Sequence, residues 1–280
     1  MGPKAIARNG LPVGMQRILR KTIKDLLLFR LKRRMFANPS RTTGVERCFD
    51  YKVHINDGPN FYVLYKDIFV HCIYHFEAQR SDPLILDCGS NIGVSILYFK
   101  YIYPEARIIG FEPDPAIFPY LQENIDRNRL RNVQLVQAAI AAREQTLIFY
   151  SDGKYGSCLA EYLSGDIHPT WTKHEVSCAR LRDYLTEPVD FLKMNIEGAE
   201  WEVLADSKDL LRQVREMVIE YHHLPGVPRT LHEILKLLHD IGFEYAVGDF
   251  NLDTYGGARP PVQLGSNSRY YRHIYACRTD

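Results

Sequence analysis

Two acids, each closing an apolar run and 25 residues apart, are the first candidates for chemistry. Leu84-Ile85-Leu86 leads into Asp87, and Ile108-Ile109-Gly110-Phe111 leads into Glu112. Short apolar runs of this kind read as buried strands. Ligands of open α/β sheets bind at the carboxyl ends of strands, so both acids fall where a ligand would lie. Beyond Asp87 the chain turns through Cys88-Gly89-Ser90-Asn91-Ile92-Gly93. Gly89 and Gly93 allow backbone to come closer to a ligand than a Cβ would permit. A carboxylate at Glu112 can accept hydrogen bonds from both hydroxyls of a ribose. The loop lacks the GxGxxG spacing that seats a diphosphate on a helix N-terminus.

Acids and polar groups without a phosphate cradle suit a cationic nucleoside. S-adenosylmethionine has that chemistry, with a sulfonium and an amino-acid end. The expected cofactor-binding residues are Asp87, Gly89, Ser90, Asn91, Gly93, Glu112 and Pro113. Asp87 would serve the ammonium directly or through a water. Transfer of a methyl group from a sulfonium is an in-line displacement, which requires acceptor, carbon and sulfur on one line. A hydroxyl acceptor also benefits from a positioned base.

A second set of candidates closes two further apolar runs: Lys193, Asn195 and Glu197 on one, Glu220, His222 and His223 on the other. Parallel strands would bring both sets to one rim. Glu197 or His222 is the expected base, with Glu220 orienting it or taking the role itself. Glu197 also reads as a helix cap before Gly198. One of two adjacent histidines is commonly a packing residue, and His223 is placed with the acceptor. Lys193 lies inside an apolar run and calls for an acidic partner.

The elements that must hold these residues alternate. Strands are expected at Leu84–Asp87, Ala106–Phe111, Val133–Gln137, Phe191–Asn195 and Met217–Tyr221, with a last one at Tyr270–Arg278 as an antiparallel edge. Helices are expected at Val94–Tyr103, Pro115–Arg129, Glu200–Ala205 and Leu231–Ile241. Such alternation implies a parallel sheet with helical crossovers. Ahead of it, Tyr51–Ile55, Phe61–Tyr65 and Ile68–Tyr74 read as β structure, with a turn at Asn56-Asp57-Gly58. Ser151–Trp171 has little periodicity, and long irregular segments of compact domains serve as lids or binding loops. Tyr155, Ser157, His168 and Trp171 are the expected acceptor contacts, because sugars stack on aromatics.

Hydrophobic residues make up 46% of the chain and charged residues 25%, which fits an ordinary globular protein. No apolar run approaches the roughly 20 residues of a membrane span. The six cysteines form no CxxC pair, which argues against a zinc ribbon and for reduced thiols in a cytoplasmic protein. Charge is unevenly spread. Residues 1–41 hold eleven Lys/Arg and one acid, a net +10, and the remainder carries −9. Residues 15–36 read as an amphipathic basic helix, ending before Pro39. That helix either docks on the domain or a partner, or lies on an anionic membrane. A cleaved signal peptide is not expected, and the acidic remainder makes a nucleic-acid partner the weakest reading. The expected organisation is a basic extension over 1–48, a β-hairpin region over 49–82, and a catalytic domain over 83–280.

From about Asp67 to Phe250 the chain resembles the FkbM-type family of S-adenosylmethionine-dependent methyltransferases. The resemblance rests on Ile68-Phe69, Tyr74-His75-Phe76, Asp87–Gly93, Phe111–Asp114 and Val189–Glu200. Leu192-Lys193-Met194-Asn195-Ile196-Glu197-Gly198-Ala199-Glu200 is its most specific mark. It implies a Rossmann-like methyltransferase fold of seven strands, with adenine near Ala138 and Ala139. It also implies methyl transfer to oxygen, usually a hydroxyl of a sugar, glycolipid or secondary metabolite. The family commonly has aspartate where this chain has Asn195. That departure puts a metal requirement in doubt, and none is expected. It also keeps open a catalytically silent, cofactor-binding accessory protein. A nicotinamide oxidoreductase lacks its fingerprint here, and no oligomeric state follows from the residues.

Overall fold

The computed structural model describes residues 28–36, 43–154, 157–160, 169–224, 227–248 and 270–278. Expectations for residues 15–27, Tyr155 and His168, and for the Ser157 side chain, lie outside the described residues. Residues 28–36 form helix α1. Strands β1 (Gly44–Cys48) and β2 (Tyr51–Ile55) pair as an antiparallel hairpin around Phe49 and Asp50. The chain then departs from the expected β pattern. Gly58–Tyr65 is helix α2, and Lys66–Val70 continues it as a π-helical turn. The reason is local: Asp57 caps the helix by accepting from Asn60 N at 2.7 Å, and Pro59 stands in its first turn. Those residues form a helix-start signal as well as a turn signal.

The main sheet has seven strands. They are β3 (Leu84–Cys88), β4 (Arg107–Phe111), β5 (Val133–Val136), β10 (Val189–Met194), β11 (Val214–His223), β12 (Glu244–Val247) and β13 (Tyr270–Cys277). Their spatial order is β12-β13-β11-β10-β3-β4-β5. From β11 to β5 every pairing is parallel, whereas β13 is antiparallel to both neighbours. The last strand therefore sits one place in from the rim of the sheet, covered by the short β12. The order reverses between β3 and β10, which opens the ligand crevice of a doubly wound sheet at their carboxyl ends.

Helices α3 (Val94–Ile102) and α4 (Phe118–Arg127) lie on one face with α1, α2 and the hairpin. Helices α5 (Glu200–Asp206) and α6 (Leu231–Asp240) lie on the other. Alternation along β11 divides its residues between the two: Met217, Ile219 and Tyr221 join the α5–α6 core, and Val218 joins the α3–α4 core. The buried Asn124 of α4 donates to His54 O at 3.0 Å and to Ile92 O at 2.8 Å, tying the hairpin to the turn after β3.

A second, four-stranded sheet was not anticipated. Strands β6 (Ala139–Ala141), β7 (Thr146–Ser151), β8 (Ser157–Leu159) and β9 (Thr172–Arg180) are ordered β6-β9-β7-β8. The described parts of the segment expected to be irregular thus include β8 and the end of β7. Its core is small: Ala139, Ala141, Phe149, Val176 and Cys178. Among the described residues no helix is long and apolar enough to cross a membrane.

Candidate active site

Asp87 at the end of β3 is fully buried and meets the Lys193 ammonium of β10 at 3.1 Å. Its other oxygen accepts from Ser95 Oγ at 2.6 Å, and Lys193 also donates to the carbonyls of Cys88 and Gly89. Lys193 is buried. An isolated charge there would be costly, and the pair is closed by hydrogen bonds on both sides. Gly89 adopts φ +85°, and a Cβ on it would collide with the Asn195 carbonyl oxygen. The glycine is thus required by the crossing of two chain segments. Asn195 N reaches Cys88 O at 3.0 Å across the same junction.

Glu112, at the end of β4, has both oxygens engaged, accepting from Asn91 N at 2.8 Å and Asp114 N at 2.9 Å. Burial pushes its carboxyl up to about 7, against the pull of those two N–H groups. Asp114 Oδ1 accepts from Ala116 N, while its buried Oδ2 has no hydrogen-bond partner among the described residues. Ser90 Oγ is turned inward to Asp87 O. Pro113 follows Glu112 in the sequence, and the buried Ala138 and Ala139 follow the end of β5, on the same rim. Asn56 donates to Gly153 O at 3.0 Å, and Asn91 Nδ2 reaches Lys154 O at 3.5 Å. The start of the 151–171 segment therefore meets the turn after β3. Thr172 pairs with Ser151, which puts half-buried Trp171 at the same end of the second sheet. These donors and acceptors fit a hydroxyl-bearing cationic nucleoside: a buried acid with residual lone pairs, an unused carboxylate oxygen, and no phosphate cradle.

The second half of the rim centres on Glu220 of β11. Its Oε1 accepts from Asn195 Nδ2 at 3.2 Å and faces His222 Nε2 at 3.3 Å. Its Oε2 meets His273 Nε2 of β13 at 2.8 Å, the strands being in register at this pair. His222 Nδ1 lies 3.0 Å from Glu200 Oε1, and its Nε2 lies 3.7 Å from Glu197 Oε2. Burial opposes charge on His222, but Glu197, Glu200 and Glu220 outweigh it and hold the ring well above the ordinary imidazole value. Burial would raise the Glu220 carboxyl, but hydrogen bonds with His222 and His273 hold it well below the usual carboxylate range. The three carboxylates thus favour the charged ring, which weighs against His222 as the expected base. Of the three glutamates around it, Glu197 is the most exposed, at 33%, and it sits in the left-handed region at φ +56°. Glu200 accepts from Gly198 N, and no side chain caps α5 at its Ala199 N-cap, so the capping role considered for Glu197 is not seen.

Alternation sends the two adjacent histidines to opposite faces. His223 is buried against Tyr270, ring centroids 5.0 Å apart, and burial lowers its basicity. The expectation that it contacts the acceptor does not suit that position: it packs on the core face, away from Glu220. His273 was not singled out from the sequence, since no motif surrounds it. Its relevance comes from pairing with a residue 53 positions away. Among the described residues no cluster of His, Cys, Asp and Glu has metal-binding geometry.

Fold and rim together define a methyltransferase of the nucleoside-binding α/β class. The profile described as "Methyltransferase FkbM domain" matches residues 87–245, and the chain belongs to that family. Among its relatives, "Methyltransferase 1" of Beauveria bassiana is 31% identical over 182 residues, covering 57% of this chain and 73% of that protein. "2-O-methyltransferase NoeI" of Sinorhizobium fredii is 30% identical over 51% of this chain and 65% of its own length. "31-O-demethyl-FK506 methyltransferase FkbM" of Streptomyces tacrolimicus is 27% identical over 68% of this chain and 84% of that protein.

Proposed function

We propose that this protein transfers a methyl group from S-adenosylmethionine to a hydroxyl oxygen of a sugar, glycolipid or secondary metabolite. The observation that carries the reading is the Glu220 carboxylate bridging His222 and His273 at the rim. That rim adjoins the turn containing Gly89 and the acid Glu112. Two of the relatives are named for O-methylation, which supports oxygen as the acceptor atom.

When bound, S-adenosylmethionine supplies an electrophilic methyl carbon on a sulfonium. Glu112 and Asp114 would bind the nucleoside hydroxyls, and the Asp87–Lys193 pair fixes the turn that shapes the pocket. Ala138 and Ala139 would line its adenine end. His273 Nε2–H donates a hydrogen bond to Glu220, which orients the ring and leaves Nδ1 as the nitrogen free to meet the acceptor. That nitrogen takes the proton of the acceptor hydroxyl, and Glu220 steadies the imidazolium that forms. The His222 imidazolium and Glu197 orient the acceptor, with Trp171 and the neighbouring 155–168 segment stacking on it. No metal is assigned a part. The acceptor meets the chain as a small molecule or glycan, without nucleic acid, in the cytoplasm.

The test is turnover with a panel of hydroxyl acceptors, read as S-adenosylhomocysteine formed by the wild type, His273→Gln and Glu197→Gln. Loss of turnover in His273→Gln with cofactor affinity retained is expected. A larger loss in Glu197→Gln would assign the base to that carboxylate instead. Asn195, standing where the family resemblance implies an aspartate, favours one second reading, a silent cofactor-binding protein. Tight cofactor binding without turnover on any acceptor would select it.

A further inference from the structure

We propose that the flank built from α1, α2, the β1–β2 tip and the end of α3 docks on an anionic lipid bilayer. Exposed large hydrophobic side chains concentrate there. Phe29 and Phe36 of α1, Val45 and Phe49 of the hairpin, Val63 of α2 and Tyr101 of α3 are 43% to 62% exposed. Elsewhere among the described residues only Tyr245 and Val247 of β12 are comparable. The aromatic members form a connected row. Phe36 meets Tyr62 edge-on at 6.0 Å, and Tyr65 lies one helical turn further along α2. Tyr65 stacks with Phe49 at 6.2 Å, and Phe49 contacts Tyr101 at 4.9 Å and Phe69 at 5.2 Å.

The row is held rigidly. Met35 is buried in the core beside Gly58, and Arg34 pairs with the buried Glu46, so α1 is anchored by one face and presents the other. That outer surface is basic: Arg30, Lys32, Arg33, Arg47 and Lys52 are all exposed. Opposing acids are few. Asp50 is exposed at the hairpin turn, whereas Asp67 is already paired with Lys66 and His71. In the sequence, the 27 residues ahead of α1's described start add six Lys/Arg and one acid.

An apolar, aromatic strip bordered by cations matches a bilayer interface, where rings sit at headgroup level and lysines and arginines meet acidic lipid. A second copy of this chain would set the same five cations against one another. A nucleic acid would answer the charge but not Val45, Val63 and the outward Phe29. The strip runs along the α3–α4 flank, and Tyr101 stands at the end of α3 remote from the turn containing Gly89. Membrane contact therefore leaves the cofactor rim at the side, and it is independent of which acceptor is methylated.

The experiment is co-sedimentation of the full chain with vesicles of phosphatidylcholine, alone or with about one-third phosphatidylglycerol. Binding only to the anionic vesicles is expected. Phe49→Ala/Tyr101→Ala should weaken it about tenfold, and Arg30→Glu/Lys32→Glu/Arg33→Glu on the order of a hundredfold. Titration with S-adenosylmethionine should give the same affinity for both variants as for the wild type, which certifies their folding. If the aromatic variant fails to fold, the charge-reversed one still decides. Equal binding to neutral vesicles, or no binding, overturns the proposal. So does anionic binding unchanged in both variants, which would leave it to residues 1–27. A dimer that both variants dissolve would assign the strip to a second copy.

Discussion

The two halves of the rim close their charges differently. At the β3–β10 junction one carboxylate, Asp87, meets one ammonium, Lys193, and Ser95 and two carbonyls satisfy what remains. Both side chains are buried. At the β10–β11–β13 ends, three glutamates surround His222, and Glu220 is shared with His273 and Asn195. Glu197, Glu220 and His273 keep some exposure there. A balanced, sealed pair fixes geometry. A partly open network with surplus carboxylate retains groups that can meet a substrate and move a proton. Perturbation should therefore separate the halves: stability should answer for the first and turnover for the second.

Breaking the sealed pair gives the largest expected effect. Lys193→Met leaves Asp87 as an uncompensated buried charge, and such losses amount to about 3–5 kcal/mol. The denaturant midpoint should fall accordingly, and adding Asp87→Asn should restore part of it. A variant that stays as stable as the wild type while losing only turnover would make Lys193 a reacting group. The comparison would then dissolve.

In the open half, Glu220→Gln removes the shared anion yet keeps the size of the side chain. Turnover should drop about 10²–10³-fold, the range for lost acid–base assistance, with cofactor affinity unchanged. The His222 ring also loses one of its carboxylates, so its proton should leave at lower pH in the variant. That shift is readable by NMR titration. Because three glutamates raise its folded-state value against the opposing effect of burial, stability from His222 is complete below the ordinary imidazole range and declines as pH rises through that raised value.

Which parts of this were readable from the sequence follows the same division. The central strands β3, β4, β10 and β11 were legible because they are largely buried and read as apolar runs, whereas β12, exposed throughout, was not anticipated. Lys193 within such a run announced its need for an acid. The second sheet was not legible: β6 and β8 are only three residues long, and its core holds only five buried residues, from Ala139 to Cys178. Aromatic residues at 61–65 imitated a strand, although Asp57 and Pro59 start a helix there. His273 was invisible because its role arises from the β11–β13 register, a long-range pairing that no local pattern encodes.

Glu112 gives a smaller and more specific effect. Hydrogen bonds to a charged acceptor contribute roughly 1.5–3 kcal/mol each, so Glu112→Gln should weaken S-adenosylmethionine about 10- to 100-fold at pH 8. Ribose donors favour the ionised carboxylate, whose folded value burial pushes up to about 7. Affinity of the wild type should therefore fall as pH drops below 7, with proton release on binding, and the variant should lack that slope. Without ligand the sign reverses. A raised carboxyl stabilises the fold below its ordinary value, and that contribution is lost as pH rises through about 7. Between about pH 4 and pH 8 the wild type should lose stability relative to the variant, by up to about 3 kcal/mol, of which only about 1 kcal/mol falls above pH 6.

The smallest effect sharpens the comparison most directly, because it changes a histidine adjacent to one in the network. His223 stacks on Tyr270 with Nδ1 buried and without a hydrogen-bond partner among the described residues. His223→Phe keeps the ring and removes that unsatisfied nitrogen, so stability should change by less than about 1 kcal/mol. Turnover and cofactor affinity should stay within twofold of the wild type, about 0.4 kcal/mol. The equivalent His222→Phe would leave three carboxylates facing one another and should lose both fold and turnover. If the two substitutions behave alike, the opposite facing of the two rings on β11 is not what separates core from rim.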